Sequence, residues 1–237
     1  MRPRGRGYIA DQGFFVRYAV FVAAFILFGF AQFALRGYSS FSTAPGVVHL
    51  HGGLMITWLG IFITQNLLVH KGQLGIHRKL GWISAALVVV VAVTGVEVGR
   101  AAIEAGRQPP FFAPSYFLAL TSVGSILFAA VVWWAIALRR NVQWHRRMML
   151  GAMFILLEPA FGRLLPMPLL GGWGETIVLA FQLIFVWVLA RHDRKVLGEV
   201  HPATIAIGVV LVASHALVEL LAVLPAVQAF AAAVAAS

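Results

Sequence analysis

Residues 14–35 read FFVRYAVFVAAFILFGFAQFAL, with a single charge at Arg17. Twenty-two residues of α-helix, rising 1.5 Å each, extend about 33 Å. A bilayer's hydrocarbon core is about 30 Å thick. The run is therefore long enough to cross a membrane and too apolar for a half-exposed soluble helix. Six further apolar runs follow it, over residues 47–69, 80–98, 115–138, 148–165, 175–190 and 203–224. The expectation is an all-α polytopic membrane helix bundle of about seven transmembrane helices, a single transmembrane domain over residues 1–237.

Composition agrees. The 237 residues are 61% hydrophobic and 11% charged, against roughly 25% charged in soluble domains. The formal net charge of +10 does not indicate nucleic acid, because the basic residues flank apolar runs and do not line one surface. The partner implied is the lipid bilayer, with a membrane-protein partner or a homo-oligomer left open. The absence of cysteine removes disulfides, thiolate metal sites, iron–sulfur clusters and covalent haem attachment. The start MRPRGRG before an apolar run resembles a signal peptide, but the run exceeds an ordinary apolar signal core. It is read as an uncleaved first helix, with cleavage near Ala44 as the alternative.

Lysine and arginine counts give the orientation. The N-terminus carries Arg2, Arg4, Arg6 and Arg17. Alternate loops carry Lys71, Arg78 and Lys79, then Arg139, Arg140, Arg146 and Arg147, then Arg191, Arg194 and Lys195. Together these are 14 of the 18 basic residues. The other side holds Arg36, Arg100, Arg107 and Arg163. By the positive-inside rule the N-terminus is cytoplasmic and the number of spans odd.

Ionisable groups inside hydrocarbon are costly and mark sites. Depth sorting places His49, His51, Glu97, Glu158, Arg163, His215 and Glu219 in one outer layer drawn from four helices. Imidazole and carboxylate ligands suit Zn, Fe or Mn. The candidates for a metal or haem centre are His49, His51, Glu158, His215 and Glu219, with Glu97, Arg163, His77, His145 and His201 behind them. His215 and Glu219, four apart, share one helix face. His49 and His51 differ by about 200° around an ideal helix, so one of them faces the interior. Pro159 removes an amide and frees the carbonyl of Ile155, which membranes tolerate where another donor satisfies it.

Structural readings stand beside these. Glu97 and Arg100 are spaced to pair, and Arg163 can pair with Glu158 or Glu97; for these three the structural reading is preferred. For His51, Glu158, His215 and Glu219 both readings stay open. The inner layer holds His70, His77, His145, His192 and His201, for which snorkelling and helix capping are the preferred roles. Gly95 and Gly99 form a small-xxx-small pair suited to close helix packing. His77-Arg78-Lys-Leu-Gly and His145-Arg146-Arg-Met-Met-Leu-Gly echo each other at the starts of spans three and five.

The run His49-Leu-His51-Gly…Trp58…Gln65…His77-Arg78-Lys-Leu-Gly81, with His145-Arg146-Arg-Met148 and Gly198-Glu-Val-His201-Pro202-Ala-Thr, resembles a family of uncharacterised bacterial multipass membrane proteins. That resemblance implies a bacterial cytoplasmic (inner) membrane location and transfers no activity. A looser similarity to b-type cytochromes and ferric-reductase-like domains implies haem b held by His pairs, His51 with His215 outside and His77 or His145 inside. The 19 residues from His51 to His70, about 28 Å of helix, depart from a two-haem helix.

No Walker A loop, HExxH or GxSxG motif is present, and span seven has no lysine for a retinal Schiff base. Three functions remain. First comes a membrane protein with an intramembrane His/Glu metal (Zn or Fe) or haem site, redox-related in the haem version. Second is a transporter or proton-coupled carrier using Glu158 beside Pro159. Third is a non-catalytic accessory subunit of a membrane complex.

Overall fold

A computed structural model describes residues 11–39 and 41–237. Arg2, Arg4 and Arg6 lie outside the described residues. The helices are α1 Gln12–Leu35, α2 Gly46–His70, α3 Leu74–Glu104, α4 Pro114–Ala137, α5 Val142–Ile155, α6 Leu157–Leu164, the single turn α7 Met167–Leu170, α8 Gly174–Leu197, α9 Pro202–Ala222 and α10 Pro225–Ala235. No strand occurs among the described residues. Six segments are long and apolar enough to cross a membrane: α1, α2, α3, α4, residues Met167–Leu197 containing α8, and α9.

Each of these helices is apolar on its outward face as well as its inward one, as lipid contact requires. α1 shows why it is sided at all. Phe15, Tyr18, Ala19, Val22, Ala23, Ile26 and Gly29 are buried at three- and four-residue steps, while Phe21, Leu27 and Phe28 face outward. Small residues set the close contacts. A side chain at Gly29 would press on Ala160, and side chains at Gly95 and Gly99 would run into Ser125 and Thr121. That last pair of contacts lets α3 and α4 approach closely along one stripe.

The fifth apolar run departs from expectation. The sequence predicts one span over residues 148–165; the chain instead forms α5 and α6, broken at Leu156. Pro159 explains the break, since it cannot donate to the carbonyl four residues back. α5 is the centre of the bundle, with Met148, Leu150, Gly151, Ala152, Met153, Phe154 and Ile155 all buried. The broken pair runs alongside α1. Arg146 near its start bonds Asp11 just before α1, and the Arg163 carbonyl near its end accepts from Gln32 near the end of α1.

Chain ends sort consistently. The starts of α1, α5 and α9 and the end of α8 meet in one cluster. Asp11 accepts from Arg146 at 2.7 and 2.8 Å and contacts His192 at 3.2 Å. Arg147 and Asp193 are both 0% exposed and paired at 2.5 Å. Asp193 also accepts from Thr204 at 2.5 Å and the His201 amide at 3.2 Å, and Gln143 Oε1 accepts from both arginines. Four elements are thus tied at one end by groups whose charges are compensated, the condition for burying them. Burial alone would raise the Asp11 carboxyl's pKa; bonds from His192 and Arg146 outweigh it and hold Asp11 below the usual carboxylate range.

Candidate functional site

The helix break organises the polar groups around it. Glu158 lies in the first turn of α6 and Glu175 in the first turn of α8, where the helix dipole favours negative charge. Gln182 of α8 reaches across and donates Nε2 to the Phe154 carbonyl at 3.0 Å. That contact fixes its amide orientation, so its Oε1 accepts from His215 Nε2 of α9 at 2.9 Å. The carbonyl that finds a side-chain donor is Phe154, one residue before the expected Ile155.

Three carboxylates gather at this end. Glu158 lies within electrostatic reach of Glu175 and of Arg163, and Glu175 within reach of Glu219. Tyr116 of α4 donates its hydroxyl to Glu219 Oε1 at 3.0 Å and senses all three. Glu175 is 7% exposed, and both its carboxylate oxygens are enclosed without a hydrogen-bond partner. Sequence reading used Glu175 as the first residue of a span and missed it as a site residue. The signal was an acidic residue in a helix's first turn, which is also what an ordinary helix start provides.

Among the described residues no group of three or more His, Asp or Glu could hold a metal ion. The single outer centre of His49, His51, Glu158, His215 and Glu219 is therefore not assembled. The reason lies in packing. α2 packs chiefly against α1 and α3, whereas α9 packs against α4, α5 and α8. His49 is exposed. His51 Nδ1 lies 3.0 Å from Thr94 Oγ1, whose own hydrogen goes to the Val90 carbonyl at 2.8 Å. His215 bonds Gln182 and Glu219 accepts from Tyr116.

The remaining candidates have local partners. Arg100 bonds Glu97 at 2.9 Å and Glu104 at 2.8 Å, all three partly exposed. Arg163 forms no ion pair within 4 Å among the described residues; it donates to the Pro159 carbonyl at 2.8 Å and lies 4.2 Å from the Phe30 ring centre. His201 caps α9, its Nδ1 accepting from the Ala203 amide at 3.1 Å. Burial, then the Arg147 guanidinium, holds its ring below the ordinary imidazole range. His77 and His145 come together, their ring centres 6.3 Å apart; the two echoed His-Arg starts are neighbours in space.

Comparison with protein-family models, curated proteins and solved structures gives no match.

Proposed function

We propose that the protein is a proton-coupled membrane carrier whose proton-binding centre is Glu158, Glu175 and Glu219 with Tyr116. One observation carries this reading: Glu175 buries both carboxylate oxygens with no donor, beside two further carboxylates. An ionised carboxylate without a donor in a dry site is expensive. A bound proton removes the cost, and a neighbouring carboxylate gives that proton a second place to go. The adjacent break at Leu156 supplies a hinge, as the discontinuous helices of carriers do.

The broken pair α5–α6 is read as a seventh crossing, since it runs from the Asp11 end of α1 to the Gln32 end. With it, the basic loops fall on one side and the N-terminus is cytoplasmic in a bacterial inner membrane.

Infrared difference spectroscopy of the protein in lipid, titrated with pH, tests the centre. A protonated-carboxyl band near neutral pH that disappears in Glu175→Gln is the expected result. Proteoliposome proton flux should fall at least tenfold in Glu158→Gln and Glu175→Gln. Unchanged bands and undiminished flux in both variants would reject the reading.

A further inference from the structure

His77 stands in the first turns of α3 and His145 in the first turn of α5. Their rings meet edge to face. His145 Nδ1 lies 2.8 Å from the Ala135 main-chain carbonyl at the end of α4. A carbonyl accepts only, so Nδ1 carries the proton and Nε2 keeps a free lone pair. His77 Nδ1 is enclosed with no hydrogen-bond partner, and so is Oε1 of Gln65 on α2. The Gln65 main-chain carbonyl also lies against the His77 ring. Four helices thus contribute two imidazoles in ring contact, the carbonyl that orients one of them, and an enclosed amide oxygen on the residue whose main chain touches the other. Enclosed polar atoms without partners are rare and ask for an occupant.

We propose that His77 Nδ1 and His145 Nε2 bind a late first-row transition-metal ion between them. An ion about 2.0–2.1 Å from each ring nitrogen sets the two ring centres about 5 Å apart at a tetrahedral angle and roughly 6 Å apart when the nitrogens lie on opposite sides of the ion. The observed 6.3 Å meets the latter. The bond from His145 Nδ1 to a backbone carbonyl is the support that metal-bound histidines commonly use to fix the ring and raise its donor strength. Imidazole suits zinc, copper, nickel and iron. No third His, Asp or Glu among the described residues completes the set, so water fills the open positions and Gln65 Oε1 accepts from it. Arg78 and Arg139 lie within electrostatic reach of the pair and work against any cation. Divalent copper, at the top of the affinity order for nitrogen sites, is the ion retained best. This site is separate from the carboxylate centre and does not depend on it.

Full-length protein in mild detergent, without a histidine tag, is titrated with Cu2+ and followed by electron paramagnetic resonance. The expected result is one equivalent of copper with imidazole-nitrogen couplings. His77→Asn and His145→Asn each lose it while eluting as native, folded protein, and Glu175→Gln keeps it. In wild type, bound copper should also protect His77 and His145 from diethylpyrocarbonate, read by mass spectrometry; this needs no variant to fold. No stoichiometric copper in wild type, copper retained by the double variant, or no protection of either histidine would overturn the proposal.

Discussion

Gln182 and His215 are joined by a 2.9 Å hydrogen bond whose other end, through the Gln182 amide, closes on the Phe154 carbonyl at the break of the central helix. The pair gives the Phe154 carbonyl a side-chain donor where the central helix is interrupted.

Replacing Gln182 by leucine strands both the Phe154 carbonyl and the His215 nitrogen. Each buried group left without its partner costs about 1–3 kcal/mol. Gln182→Leu should lower the thermal midpoint more than His215→Leu, which leaves the carbonyl bond in place. Thermal unfolding in one detergent measures both, and equal midpoints would show that the cap is not what holds the break.

The Arg147–Asp193 pair is fully enclosed. Breaking such a pair from one side costs about 3–5 kcal/mol, because the partner's charge is left uncompensated. Arg147→Met and Asp193→Asn should each sharply reduce folded yield, whereas Arg147→Met with Asp193→Leu should recover much of it. A double variant as poor as the singles would mean that Thr204, Gln143 and the His201 amide depend on the ions themselves.

Acid should loosen the same end of the bundle. His201 has a folded pKa below its ordinary 6.5, so the unfolded chain binds more protons there. Its contribution is fully present above the unfolded value and is lost as pH falls from about 6.5. Asp11, held below its ordinary 3.8, adds a second loss at lower pH, as its carboxylate protonates. The thermal midpoint should fall between pH 7 and 5. That first step should shrink in His201→Asn, since asparagine caps helices without titrating. An unchanged slope in the variant would place the acid sensitivity elsewhere.

Gly99 and Thr121 mark the closest approach of α3 and α4. Gly99→Leu drives a branched side chain into Thr121 and should force the helices apart, a strain of about 1–3 kcal/mol or more. Gly60→Leu, at a position with open space around it, should leave the midpoint within about 0.5 kcal/mol. Equal effects would show that α3–α4 contact is not tight in solution.

The membrane-helix class was legible in the chain because length and apolarity act locally: any run such as residues 14–35 must satisfy its backbone as a helix in lipid. Basic flanks and the Gly95/Gly99 stripe were readable for the same reason. The break near Pro159 was also signalled, by a missing amide, but its donor was not, because Gln182 lies 28 residues from Phe154. Among the described residues the outer-layer candidates do not form a metal-type cluster; depth along the membrane normal is one coordinate, and helix order around the bundle supplies the others. The sequence places His51 and His215 at one depth, yet α2 packs chiefly against α1 and α3, and α9 against α4, α5 and α8. Glu175 joined the carboxylates, and His77 met His145, through packing of helices distant in sequence. Local sequence determined what each segment is; which segments are neighbours was decided by tertiary packing, since small-residue contacts and buried polar bonds between helices, not apolarity that lipid satisfies equally, select the partners.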